Sequence, residues 1–233
     1  MMILRNCALI LATAVLVYSF PKPVQNVDLA AVNTFLTNLA AADSRIDSLV
    51  TLNYQNMASK KNPDHDNAKD PLFTKVDNSL LESATYICIA NLQPFFQFDC
   101  DQPISTDKSY TDAVDTFLAN YMATDAVKQA WTFLQAQGVS TADSFAFRTQ
   151  LYNLWFAPYA RNTVTGTNGF KVVFNGEASG TSINRFASWY GFYLQEAANI
   201  FDYHGWFTKI NVSQISSFWT CATGSFWTCA SRG

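Results

Sequence analysis

The sequence predicts an α+β protein with a helical N-terminal lobe followed by a β-rich second lobe. Apolar residues recur at helical spacing in segments up to residue 156, whereas a short apolar run bounded by glycines follows residue 168. The composition, 49% hydrophobic and 14% charged, is typical of a globular chain rather than a disordered one. A length of 233 residues is also sufficient to bury a sizeable core.

The first nineteen residues have the pattern of a secretory signal peptide. Arg5 precedes an apolar run from Cys7 to Val17, and Ser19 comes directly before a candidate cleavage site at Phe20. The run is too short for a membrane span. We therefore predict that residues 1–19 are removed, and that the remaining chain is extracellular and not attached to a membrane.

Helical spacing is found in several segments of the first lobe: 28–42, 80–90, 110–121, 125–137 and 145–156. The fourth has the clearest limits, because Thr124 is a candidate N-cap and Gly138 comes just past its end. The polar residues 58–70 predict a surface loop, and we assign no function to His65 within it.

The second lobe begins with an apolar run from Phe170 to Phe174 that predicts a short buried strand, closed by a turn at Asn175 and Gly176. A helix is predicted next, because a 3–4 spacing returns. Its predicted buried face consists of Phe186, Tyr190, Tyr193, Leu194 and Ala197.

These segments resemble the EndoU family of uridylate-preferring endoribonucleases, whose signature is approximately FEHVFxGE followed by HNWxxFYLQE. This chain reads FKVVFNGE from Phe170 to Glu177 and ASWYGFYLQE from Ala187 to Glu196. Three earlier blocks also match: DPLFTKVD (70–77), FLANYMATDAVKQAWTFLQAQG (117–138) and LYNLWFAPYAR (151–161). The resemblance implies structural roles for Phe170, Phe174, Gly176, Glu177, Trp189 and Tyr193. It also implies a helical lobe at 20–162, a truncated antiparallel catalytic-type lobe at 163–210 and a divergent tail at 211–233.

The chain departs from the family at the catalytic positions. Lys171 and Val172 stand where the family has Glu-His, and Ala187 stands where it has the second histidine. The family cleaves RNA to a 2′,3′-cyclic phosphate with these two histidines and a lysine. Valine and alanine cannot exchange protons, and losing two general acid/base groups costs up to about 10⁴- to 10⁸-fold in rate. The sequence therefore predicts an inactive copy that binds RNA or a protein.

Two alternatives remain open at this stage. One is a residual endoribonuclease that uses unmapped residues and is stimulated by manganese, as the resemblance implies. The other is a degraded gene product without a retained function. The chain contains no CxxC or HExxH motif, and the sequence by itself predicts no metal site.

Charge gives weak support to RNA binding. The formal net charge is −3, which is unfavourable for binding a polyanion except through a local patch. Lys171 and Arg185 are the candidates for such a patch, and we hypothesise that they hold a phosphate or a carboxylate without reacting with it. The alternative is that Lys171 points outward and is merely solvated. His204 is predicted to be an exposed turn residue without a catalytic role.

The resemblance ends after Ile210, and the tail contains the same six residues twice, at 217–222 and 225–230. The missing family strands predict an unpaired sheet edge that either this repeat or a protein partner covers. Four cysteines remain after signal removal, and the predicted pairs are Cys88 with Cys100 and Cys221 with Cys229. Asn211 is a candidate glycosylation site in an Asn-Val-Ser sequence.

Overall fold

The computed structural model describes residues 28–42, 48–58, 65–161, 163–179, 182–208 and 225–231. Its helices are α1 (Leu29–Ala42), α2 (Asn78–Leu81), α3 (Ala84–Leu92), α4 (Lys108–Ala123), α5 (Asp125–Ala136), α6 (Ser144–Trp155) and α7 (Trp189–Ala197). Its strands are β1 (Val50–Leu52), β2 (Phe73–Val76), β3 (Glu177–Ser179), β4 (Ser182–Arg185), β5 (Phe201–Thr208) and β6 (Ser225–Ser231). The strands form three antiparallel pairs, β1 with β2, β3 with β4 and β5 with β6. The predicted α+β class is confirmed.

Side-chain caps fix the starts of helices α5 and α6. Thr124 accepts a hydrogen bond from the backbone N–H of Val127 at the start of α5. Asp143 likewise accepts a bond from the N–H of Phe145 at the start of α6. Gly138, just beyond α5, has a φ of +69°, a conformation that glycine adopts without a steric penalty. These limits agree with the sequence predictions to within one or two residues.

The main hydrophobic core joins helices α3 to α6 with the segment at 170–174. Phe170 is fully buried and lies centrally in this core. Four aromatic rings surround it at centroid distances of 4.8 to 5.5 Å, those of Phe96, Phe117, Phe156 and Phe174. The first-lobe helices and the first signature motif therefore share one core. The boundary between residues 162 and 163 stays a prediction.

The predicted strand at 170–174 is wrong, because residues 171–175 form a short π-helical turn. Asn168 Oδ1 accepts a hydrogen bond from the backbone N–H of Lys171, and this bond starts the turn. Phe170 and Phe174 lie on the same side of the chain both in a strand and in a helix, so their spacing could not distinguish the two. Tertiary packing of these two rings in the core selects the helical form.

Strand β5 is hydrogen-bonded along both of its edges. On one side it pairs with β6, the second copy of the tail repeat, with Trp206 opposite Trp227. On the other side the N–H of Ala58 donates to the carbonyl of Trp206 at 2.8 Å, and the N–H of Asn67 donates to that of His204 at 3.1 Å. The tail repeat therefore covers one edge of β5. The open edge on which we based a protein partner is not present at this strand.

Several predictions concern residues outside the described ranges. They are the signal peptide, the glycosylation site at Asn211 and the first copy of the repeat with its Cys221. Among the residues that the structure describes, no helix has the length and apolar character needed to span a bilayer.

Candidate functional site

The structure brings together the two positions at which the resemblance places the histidines. The turn at 171–175 lies against the segment that precedes α7, and the N–H of Ala187 donates to the carbonyl of Val173 at 3.3 Å. Ala187 is exposed, and Val172 is half-buried. The site thus has an accessible surface, but neither of these side chains can carry a proton between donor and acceptor atoms.

A chain of amide groups holds the two motifs in this arrangement. In α7, Gln195 Nε2 donates to Gln93 Oε1 at 2.9 Å, and Gln93 Nε2 in turn donates to the carbonyl of Phe174 at 2.8 Å. Gln93 therefore joins the second motif to the backbone of the first. Close packing reinforces this contact, since a Cβ atom at Gly191 would lie 2.0 Å from the carbonyl oxygen of Phe174. Sequence patterns gave no signal for Gln93, because it is 81 residues from Phe174.

Glu196, the last residue of the FYLQE motif, holds the start of β2. Its two carboxylate oxygens accept hydrogen bonds from the backbone N–H groups of Leu72, at 2.8 Å, and Phe73, at 3.1 Å. Hydrogen bonds to an ionised acceptor are about twice as strong as neutral ones. Glu196 therefore links the PLFT block to α7.

Replacing Glu196 with alanine should destabilise the fold by about 2–4 kcal/mol, because two partly buried N–H groups would lose a charged acceptor. Urea unfolding of the variant and the wild type would measure this difference. Glu82→Ala, at an exposed position, is the matched control and should change stability by less than about 0.5 kcal/mol. An equally small effect of both substitutions would show that Glu196 does not hold β2.

A partly buried ion pair joins two further blocks of the resemblance. Glu177 is 1% exposed, and its Oε2 accepts a hydrogen bond from Arg161 Nε at 2.8 Å. The Arg161 guanidinium also lies over the ring of Tyr159, 5.3 Å from the centroid. The positive charge of Arg161 is thus paired with an acidic side chain of the same chain. Sequence reasoning placed Arg161 in a matching block but did not identify its partner.

Lys171 is not an anion-binding residue in this structure, and it is not solvated either. Its side chain is 1% exposed, and its ammonium donates to the carbonyl oxygens of Asp99 at 2.9 Å and Gly166 at 2.7 Å. Burial lowers the pKa of this ammonium, and the nearby Glu177 carboxylate opposes that shift. Both sequence interpretations of Lys171 are therefore wrong, because the turn at 171–175 directs this side chain into the protein.

Arg185, the other candidate for anion binding, lies in β4 with its backbone opposite Glu177. Its side chain lies outside the described part of the chain, so its role as an anion-binding residue stays a prediction.

His204 is buried, which contradicts the exposed turn predicted for it. It lies in β5 and is 8% exposed, and its Nε2 is 3.7 Å from Asp202 Oδ2. The next residue, Gly205, has a φ of +121° and continues the strand. Any side chain at this position would strike the carbonyl of Asn56, 2.6 Å from an ideal Cβ. His65 is exposed, as the surface loop predicted.

The predicted disulfide between Cys88 and Cys100 is wrong, since both are free, buried thiols. Cys88 lies in α3, with its Sγ 3.6 Å from Asn120 Nδ2 of α4. Cys100 belongs to the loop that supplies a carbonyl to Lys171. The two cysteines therefore face different partners. Cys229 lies in β6, and its pairing with Cys221 falls outside the described side chains.

The resemblance implies manganese, but the residues present do not fit that ion well. Within the described ranges, one group of three ligand-type side chains lies within 4.8 Å, namely Asp99, Cys100 and Asp101. Manganese prefers oxygen ligands, whereas this group includes a soft sulfur. The Lys171 ammonium, bonded to the carbonyl of Asp99, adds a positive charge beside it.

Half-buried aromatic rings lie beside the exposed Ala187. Trp189, two residues further on, packs at 6.1 Å from Phe73 and at 5.8 Å from Tyr86. The ring of Tyr193 packs edge-on against Phe73 at 5.5 Å. These rings are partly accessible, so this surface has the apolar character on which nucleobases stack.

The arrangement of elements matches a known α+β fold. A solved structure described as "The structure of XendoU: a splicing independent snoRNA processing endoribonuclease" matches 82% of this chain and 70% of its own, with a TM-score of 0.64 and 24% identity. The family model "Endoribonuclease XendoU" matches residues 31–222. The chain therefore belongs to the XendoU (EndoU) family.

Several curated relatives are named as uridylate-specific or poly(U)-specific endoribonucleases. Uridylate-specific endoribonuclease B of Danio rerio is 30% identical over 154 residues, which are 65% of this chain and 55% of the relative. The corresponding Mus musculus enzyme is 30% identical over 66% of this chain and 38% of its own length. Poly(U)-specific endoribonuclease of Xenopus tropicalis is 31% identical over 66% of this chain and 54% of its own length. This chain thus matches about half the length of these relatives or less.

Proposed function

We propose that this chain is a secreted member of the family that binds uridine-containing RNA without cleaving it by the two-histidine mechanism. One observation carries the proposal. The two positions that would hold the acid and the base lie on adjoining segments, yet they are occupied by Val172 and Ala187. The bonds that hold these segments together involve other motif residues, Gln195 and Glu196. Two motif segments that keep their arrangement but lack the general acid and the general base are suited to binding RNA without cleaving it.

Uridine-containing RNA is the ligand class suggested by the relatives' names, which refer to uridylate and poly(U). We expect base stacking, more than phosphate contacts, to supply the affinity for RNA, because two basic side chains near the site already have partners within the protein. Lys171 bonds to two backbone carbonyls, and Arg161 bonds to Glu177. Trp189 and Tyr193 offer partly accessible rings instead.

The test uses protein secreted by a eukaryotic cell line and purified from the medium, where Phe20 is the expected N-terminal residue. Labelled uridine-rich RNA is mixed with the protein, and a cytidine-rich RNA of equal length is the control. A native gel reports binding, and a denaturing gel reports cleavage. We expect a complex with intact uridine-rich RNA. The affinity should fall only weakly with salt, with a log–log slope smaller in magnitude than about 2, because few phosphates are contacted.

Trp189→Leu should weaken this complex by about 5- to 150-fold, the range for losing one stacked base. Tyr152→Leu, at an exposed tyrosine of α6, is the matched control and should leave the affinity unchanged. RNA fragments made by the wild type, or the absence of any complex, would overturn the proposal. Retention of the protein inside the cells would overturn the secreted part of it alone.

A further inference from the structure

The buried ammonium of Lys171 donates to two backbone carbonyl oxygens, one of them from a distant part of the chain. Its two hydrogen-bond acceptors, the carbonyls of Asp99 and Gly166, are 72 and 5 residues away in sequence. The loop containing Asp99 packs so closely on Gly166 that a Cβ there would lie 2.1 Å from the carbonyl oxygen of Cys100. Only glycine fits at residue 166, and this close approach lets the two carbonyls converge on one point.

The electrostatic surroundings of this point favour a cation. The Glu177 and Asp99 carboxylates favour the charged form of Lys171, whereas Arg161 disfavours it. Arg161 is itself bonded to Glu177, which reduces its repulsion of a second positive charge. Carbonyl oxygens and a neighbouring carboxylate are the groups that replace the hydration shell of a desolvated cation.

We propose that these oxygens form a monovalent-cation site, which the protein fills with its own tethered ammonium. The distances of 2.7 and 2.9 Å suit an ammonium group or a large monovalent ion such as K⁺. They are longer than the 2.0–2.1 Å of magnesium and the 2.3–2.6 Å of calcium coordination. When the side chain is shortened, a free cation of this class takes the vacated position. This inference concerns the fold and does not depend on RNA binding.

Lys171→Ala tests the proposal. Urea unfolding is followed in potassium chloride, propylammonium chloride and tetramethylammonium chloride at equal ionic strength. A cation that binds only the folded state raises the folding equilibrium constant in proportion to its concentration above Kd. For the variant, we therefore expect the folding equilibrium constant to rise by up to about tenfold for each tenfold increase in the concentration of potassium or propylammonium. The wild type should show no difference among the three salts.

Lys171→Met is the matched control, because its side chain has no charge but still fills the space that an ion would need. It should not distinguish the three salts. Where Lys171→Ala does not stay folded, the refolding yield replaces the unfolding midpoint as the measurement. Identical behaviour of the alanine variant in potassium and tetramethylammonium, or no refolding in any salt, would overturn the proposal.

Discussion

Introducing histidine at both Val172 and Ala187 is expected to raise the rate of RNA cleavage by about 10²- to 10⁴-fold over the wild type. The reason is geometric, since the backbone of Ala187 is hydrogen-bonded to that of Val173, the residue next to Val172. An imidazole at each position would supply one group that accepts a proton and one that donates it. The rate should have a bell-shaped pH profile centred near the imidazole pKa of about 6.5. Release of a 2′,3′-cyclic phosphate from uridine-rich RNA would be measured.

The double glutamine variant, Val172→Gln with Ala187→Gln, is the matched control. It adds polar side chains of similar size that do not titrate, and it should leave the rate at the wild-type level. Each single histidine variant should give much less than the double variant, because residues that act together have non-additive effects. A folded double histidine variant that binds RNA and cleaves it no faster than the glutamine variant would contradict this prediction.

Phe170→Ala should lower the free energy of unfolding by about 3–5 kcal/mol, which is a large part of the stability of an ordinary domain. Phe170 has no exposed surface, and four aromatic rings contact it. Removing its ring would leave a cavity between the helices of the first lobe and the turn at 171–175. Urea unfolding monitored by tryptophan fluorescence would measure the loss.

Phe145→Ala is the control for this substitution. Phe145 is 72% exposed at the start of α6, so the same change in chemistry removes almost no buried surface. Its expected effect is below about 0.5 kcal/mol. Equal effects of the two substitutions would show that Phe170 does not occupy the centre of the core.

The helices could be predicted from the sequence because their limits depend on local chemistry. Thr124 and Gly138 mark the ends of α5 through a side-chain cap and a left-handed glycine, and both effects act within a few residues. Helix α7, which ends at Ala197, was predicted to begin near Phe186, but it begins at Trp189. Ser188 caps it by accepting a hydrogen bond from the N–H of Gly191. Apolar spacing alone could not indicate that Phe186 precedes the helix.

The site was predicted less well, because long-range contacts determine it. The resemblance indicated which positions differ from the family, and the structure places Val173 and Ala187 in contact. The role of Lys171 was missed because its acceptors are backbone carbonyls, which every residue has and no sequence pattern reports. The same holds for Gln93, whose side chain bonds to a carbonyl of Phe174. Charge counting treated Lys171 as available for RNA, although its ammonium is already bound within the fold.

The double-sided bonding of β5 affects the order in which the protein can fold during synthesis. The Tyr203 hydroxyl donates to the carbonyl of Tyr54, 149 residues earlier, and Trp206 Nε1 donates to that of Gln55, 151 residues earlier. At about 5–20 residues per second, the ribosome needs roughly 8–30 s to make the chain between such partners. Helices α3 to α6 involve mainly local contacts and can form within that time. The contacts of residues 53–58 with β5 must wait until β5 is made, and the pairing of β5 with β6 must wait longer still, so both are expected to form late in folding.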